Sequence, residues 1–274
     1  MTITDATRDP YAGTNSGSPR RFLYELNPLA KFAAPLPALV LLIFVRDFAT
    51  PLAFIALAYA VLLAGARMSR LLAAILFVAL PATVVLLGTG FALWTNPELV
   101  RNTTPLLQIG AWTLYSGAVE LGLATGIRLA AIVALALMPG LTTAGPDIAR
   151  SMVQQLRVPY RIGYTALAAF RFVPRFRHEL DVIRQAHRVR ASNDSRGPFA
   201  AIARGTGYIV PLLAGAIRHA ERVALAMDSR AFGAHPDRTE RYLVPFRRRD
   251  SVFVIAFWLI TAALLWVFFP WGLS

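Results

Sequence analysis

Apolar residues gather in two parts of the chain, before residue 140 and after residue 251, in runs too long and too poor in charge for a water-soluble core. Leu71 to Leu93 is 23 residues without a charge. At about 1.5 Å rise per residue it is long enough to cross a hydrocarbon core of about 30 Å. Leu121 to Met138 reads as the next span, ended by Pro139-Gly140, and Val252 to Pro270 as a last span of 19 residues, rich in aromatics. Two shorter runs precede these. Phe32 to Val45, interrupted by Pro35 and Pro37, and Pro51 to Ala64 flank the polar pair Arg46-Asp47, which predicts a helical hairpin. From Trp94 to Trp112 the helical pattern stops. Asn96-Pro97 and Thr104-Pro105 are turn signals there, and the terminal tryptophans predict an exposed loop anchored at the membrane interface.

Between residues 144 and 250 the pattern changes to helices that are apolar on one side only. Asp147 to Leu156 follows Gly145-Pro146 and is closed by Val158-Pro159, which predicts a short helix. Tyr160 to Arg190 predicts a longer one, kinked or broken at Pro174, with Val182, Ile183, Ala186 and Val189 on one face. After the polar break Ser192-Asn193-Asp194-Ser195, a second helix is expected near Tyr208. Ile209, Leu213, Ala216, Ala220, Val223, Ala224 and Met227 are its apolar stripe, and Phe232-Gly233 is its end.

Charge gives these segments a direction. The chain carries 28 basic and 15 acidic residues, and Lys31 is its one lysine. Nineteen of the basic residues fall in 144–250, four in 1–31 and two in the 66–70 turn. The positive-inside rule therefore places those three regions in the cytoplasm and the 94–112 loop outside. An odd number of spans follows. The expected fold is an all-α polytopic membrane protein of about five transmembrane helices, with its N-terminus inside the plasma membrane. Its domains are a disordered cytoplasmic start (1–26), a transmembrane region (27–143), a cytoplasmic helical region (144–250) and a C-terminal span (251–274). Residues 1–21 lack the apolar core of a cleavable signal peptide. A basic amphipathic pair beside a membrane suits three roles: lying on anionic lipid, presenting arginines to a protein partner, or simple solvation.

Chemistry is sparse. There is no cysteine, so thiolate metal sites and nucleophiles are excluded. Lys31 follows Pro-Leu-Ala with no glycine-rich loop, so no P-loop is present. His178, His187, His219 and His235 lack ligand-like spacing with carboxylates, and neither a cofactor nor a metal site is expected. Arg128 lies inside a span, where an unpaired charge is costly. An internal hydrogen-bonded brace is the favoured reading for it, a contact to another membrane subunit the alternative. Gly122 and Gly126 form a GxxxG, and Gly88-Thr89-Gly90 reads as a packing or kink feature.

An ordered series of motifs goes further. Asn27-Pro28-Leu29-Ala30-Lys31, then Leu141 to Asp147, Leu156-Arg157-Val158-Pro159 and Phe170-Arg171-Phe172-Val173-Pro174 with Glu179, resembles the T component of energy-coupling factor transporters. Gln185 to Ala191 and Ala226 to Gly233 resemble that family's two Ala-Arg-Gly motifs. The resemblance implies a non-catalytic, all-helical scaffold subunit for vitamin or cobalt and nickel import. It also implies two coupling helices docking on two ABC-type ATPase subunits, a small membrane S component as partner, and no nucleic acid. By position the docking residues are Arg190 with Ala191, and Arg230 with Ser229 and Ala231. Val189-Arg190-Ala191 and Ser229-Arg230-Ala231 keep the arginine but replace the alanine and glycine on its two sides. Two other classes compete: a membrane enzyme acting on lipid or isoprenoid phosphates, and a membrane-anchored basic module binding anionic lipid.

Overall fold

The computed structural model describes residues 22–96, 98, 100, 102–109, 112–190, 198–235 and 239–268. It is a helical protein in two compact units. One is Ala149–Leu243, and the other takes the described residues through Ile148 and those from Val244 onward.

Among the described residues, three helices are long and apolar enough to cross a membrane, all in the second unit: Arg70–Trp94, Ser116–Thr142 and Arg248–Phe268. The middle one, α6 (Ser116–Thr142), is its axis. Ala130, Ala131, Ala134, Leu135 and Met138 of α6 are wholly buried, packed in one cluster with Phe54, Leu62 and Phe257. The first helix is short because proline divides it, into α1 (Pro28–Ala33) and α2 (Leu36–Leu42). It does not pair with α3 (Ala49–Gly65) as the expected hairpin. Each packs instead on α6 and on α10 (Arg248–Phe268).

The GxxxG of α6 is a close contact. A Cβ at Gly122 would lie 2.3 Å from the Gly88 carbonyl oxygen, and one at Gly126 would lie 2.7 Å from that of Val84. Both partners belong to α5 (Leu80–Trp94), whose opposite side, Val85 and Leu86, is exposed. A bilayer supplies no water to backbone groups, so proline there leaves carbonyls to be satisfied. α4 (Arg70–Ala74) passes into α5 through one π-helical stretch, Ile75–Ala79. The Leu80 N–H bonds Ile75, and Pro81 has no N–H for Leu76. The Tyr59 hydroxyl from α3 donates to that Leu76 carbonyl. Pro37 likewise deprives the Ala33 carbonyl of its helical partner, and the Trp258 indole donates to it at 3.1 Å. Arg128 Nη1 donates to the Val45 carbonyl just past α2, at 3.1 Å.

Three further expectations are corrected. α6 does not end at Pro139-Gly140 but continues to Thr142, whose hydroxyl donates back to Met138 at 2.6 Å. The loop between α5 and α6 contains an antiparallel pair, β1 (Pro105–Ile109) and β2 (Trp112–Tyr115), with Ile109 opposite Trp112. The third correction concerns Pro174, which breaks nothing: α8 runs unbroken through it.

The Ala149–Leu243 unit is an antiparallel pair of long helices, α8 (Tyr160–Arg190) and α9 (Pro198–Asp228), with most of α7 (Gly145–Leu156). His187 meets Tyr208 edge-on at 5.1 Å, and Phe172 stacks on His219 at 4.8 Å between ring centroids. The face of α9 toward α8 therefore carries Tyr208, Gly215, His219, Val223 and Met227. The expected stripe is only half right, because Ile209 and Leu213 are exposed, as are Val182 and Val189 of α8. Aromatic and imidazole rings fill the seam where an aliphatic count expected alanine and leucine.

Candidate functional site

Each long helix of the basic unit ends at or within two residues of one of the two singled-out arginines. Arg190 is the last residue of α8. Ala191 and the polar break at 192–195 lie outside the described residues, as does the expected N-terminal segment up to Arg21. Arg230 follows the last turn of α9 and is exposed. The helices are antiparallel, so the two arginines are not brought together. From Tyr164, beside Phe232, α8 advances to Arg190 over about 40 Å at 1.5 Å per residue.

The end at Arg230 is fixed by local chemistry. Phe232 N–H bonds the Met227 carbonyl at 3.0 Å, and Ala231 N–H bonds that of Asp228 at 2.9 Å. Ala231 itself has φ +54°. These two bonds and a left-handed residue are a Schellman cap, with Arg230 at the C-cap and Ala231 in the place glycine usually takes. The altered motif neighbour therefore sits in a left-handed backbone, which alanine adopts at a cost of about 1 kcal/mol. Ser229 turns its hydroxyl back to the Ala226 carbonyl at 3.1 Å, which leaves the arginine as the group projecting from the cap.

The segment beyond the cap is seated on the start of α8. The Phe232 ring meets Tyr160 at 5.6 Å and Tyr164 at 6.2 Å, both edge-on. Arg161 Nη2 donates to the Gly233 carbonyl at 2.6 Å, and the Tyr160 hydroxyl donates to that of His235 at 2.7 Å. Tyr164 bonds Glu240 at 2.8 Å. Gly233 is at φ +93°, where any side chain would be strained, and a Cβ there would press on Arg161 at 3.1 Å. Beside this seat is a half-open cavity of about 670 Å³, lined by Arg171, Arg175, Arg230, His219, Tyr164 and Phe232 among others, with no carboxylate among the described residues of its wall. The seat residues Tyr160, Arg161 and Tyr164 were not foreseen. Their one signal was the aromatic-glycine pair after the second motif, which needed something to pack on.

No group of three metal-binding side chains occurs among the described residues. Arg128 is remote in sequence and sits in the other unit, bonded as described. At Arg230 a permanent charge stands beside a packed cluster of rings, Phe232 with Tyr160 and Tyr164.

Comparisons agree with the motif order. The family described as "CbiQ: Cobalt transport protein" matches residues 19–241. The chain is similar to the energy-coupling factor transporter transmembrane protein EcfT of Brevibacillus brevis, 26% identical over 89% of this chain and 93% of that one. EcfT of Staphylococcus aureus is 26% identical over 84% of this chain and 87% of its own length. A putative ABC transporter ATP-binding protein of Bifidobacterium longum is 28% identical over 96% of this chain, which spans only 34% of that longer protein.

Proposed function

The chain belongs to the CbiQ family of cobalt transport proteins, and from that premise we propose that it is the transmembrane scaffold of an energy-coupling factor importer. It is a membrane transport subunit and not an enzyme; ATP hydrolysis falls to partner ATPases. In this reading the basic unit lies in the cytoplasm with the N-terminus, and its two helix ends dock on two ABC-type ATPase subunits through Arg190 and Arg230. Ala191, Ala231 and Ser229 are the small neighbours that allow each end to seat. The spans present a face to a small S component that carries the vitamin or metal ion. Arg128 braces the membrane unit through Val45.

One observation carries the reading: Arg230 stands exposed at a capped helix end, beside a Ser229 hydroxyl turned back to Ala226 and a Gly233 carbonyl held by Arg161 of α8. A guanidinium so placed is ready for a carboxylate in a facing groove. The exposed apolar residues between the two arginines, including Val182, Val189, Ile209 and Leu213, add the covered area that a protein interface requires.

The test is co-purification in mild detergent. Arg190→Glu with Arg230→Glu is expected to abolish recovery of two ATPase subunits, while the variant stays membrane-inserted and monodisperse. Full recovery of the ATPases with the doubly reversed chain refutes the docking roles. Binding that weakens uniformly with salt and ignores either arginine would favour the basic-module class instead.

A further inference from the structure

Among the described residues the chain passes between its two units at Ile148–Ala149 and at Leu243–Val244. Both connections are held, inside the membrane unit, by the same short helix. Asn27 Nδ2 donates to the carbonyls of Val244 at 3.2 Å and Pro245 at 3.4 Å, where the chain re-enters. Lys31 Nζ donates to the carbonyl of Thr142 at 2.8 Å, the last residue of α6 before the chain leaves. Asn27 and Lys31 are four residues apart, hence on one side of α1. Asp250 joins them: it accepts the Asn27 N–H at 2.8 Å and the Arg247 N–H at 2.7 Å, which also caps α10.

These are buried polar groups, with Asn27, Lys31 and Asp250 only 3%, 2% and 1% exposed. Lys31 stands ahead of the apolar run that begins at Phe32. Burial lowers its pKa to about 8, against the opposing pull of Asp147 and Asp250. Such a group is a poor way to gain stability, because an apolar residue of similar size avoids the desolvation. What it does supply is geometry. Lys31 and Asn27 each take carbonyls at a connection, and Asp250 fixes the register of α1 against α10.

We propose that Asn27, Lys31 and Asp250 form a clamp that holds the two connections to the basic unit as one rigid mount, and are positioning residues for transmitting its movement to α6 and α10. The transmission half rests on the scaffold reading; the clamp itself does not. The clamp is tested on the full chain in detergent by hydrogen exchange. Asn27→Ser keeps the oxygen that caps Leu29, which it now holds at 2.9 Å, but loses the reach to Val244 and Pro245. That variant is expected to raise exchange about tenfold at residues 244–249 and at 143–148 together, with α5 and the middle of α6 unchanged. Lys31→Met is expected to loosen the same two segments. Loosening of only the segment each side chain touches means two separate contacts and overturns the clamp.

Transmission is tested on the chain purified with its ATPases, with ATP and orthovanadate as the trapping agents. Trapping is expected to alter exchange in α6 of the natural chain. In Asn27→Ser that response is lost while ATP hydrolysis stays within about twofold. A response in α6 equal to that of the natural chain overturns transmission through the clamp, and so does loss of the ATPases from the variant, which would make the contact one of assembly. If the natural chain recovers no ATPase, the scaffold reading falls, and the exchange data on the chain alone still decide the clamp.

Discussion

The membrane unit and the basic unit solve the same problem, holding long helices side by side, by opposite means. In the membrane unit backbone is brought against backbone at Gly122, Gly126 and Gly88, and carbonyls that proline or a helix end leaves open are met by Tyr59, Trp258, Arg128 and Lys31. In the basic unit rings separate the helices, Phe172 on His219 and His187 on Tyr208, and apolar side chains such as Val189 and Leu225 stay exposed. The first arrangement turns those polar groups inward. The second keeps charged and apolar groups available, as an element that must meet a partner does.

The difference is best broken at its tightest point. Gly122→Leu places a side chain where even a Cβ would sit 2.3 Å from the Gly88 carbonyl. Overpacking of this kind is expected to cost about 3 kcal/mol or more and to separate α5 from α6. Lower yield and a large fall in thermal stability in detergent are the readouts; unchanged stability would mean that the two helices are not held by this contact. A leucine at Gly205, where a Cβ meets nothing within 4 Å, is the matched change in the basic unit and is expected to be tolerated.

Next in size is the seat of the second arginine. Phe232→Ala removes a ring that touches Tyr160 and Tyr164, with an expected cost of about 3 kcal/mol to the attachment of the cap. ATPase recovery is expected to fall severalfold although Arg230 is still present, with the membrane unit unaffected. Recovery at the natural level would separate docking from the order of the cap.

Much of this contrast was legible in the residues and some was not. Long uncharged runs announced the three spans because bilayer thickness sets a minimum length. The motif series singled out Arg190 and Arg230, which stand at the end of α8 and two residues beyond α9. Proline was the misleading signal: Pro139 and Pro174 interrupt the pattern but not the helices. The apolar stripe of α9 was rotated because His219 and Tyr208 count as polar in a periodicity argument yet pack as rings. Nor does spacing reveal that Asn27 and Lys31 reach Val244 and Thr142, more than a hundred residues away.

A subtler test uses the carbonyl that Pro81 orphans. Tyr59→Phe keeps the ring but removes the hydroxyl that reaches Leu76. An unpaired carbonyl in a dry interior is expected to cost about 1–3 kcal/mol. The Tyr164→Phe change, which removes a bond to Glu240 in the basic unit where water can take its place, is expected to cost under about 1 kcal/mol. Equal losses in the two variants would mean that Leu76 is hydrated and that the membrane unit is not the dry interior its packing implies.

The smallest change is the most discriminating for the site. Glycine beside the motif arginine has two physical justifications, a left-handed backbone and a close approach to a partner, and Ala231 separates them because it already has φ +54°. If conformation is what the position demands, Ala231→Gly relieves the strain and steadies the cap by about 1 kcal/mol. It then slows hydrogen exchange at Phe232 and Gly233 and changes ATPase recovery little. If close approach matters as well, the same substitution tightens the complex beyond what the steadier cap accounts for. Arg157, at φ +55° after α7, is the internal control, since it adopts the same backbone without belonging to either motif. Arg157→Gly is expected to stabilise its own helix end and to leave ATPase recovery as it was. A gain in recovery at Ala231 that has no counterpart at Arg157 assigns the position to the interface; matching stability gains with no change in recovery assign it to the fold of the helix end.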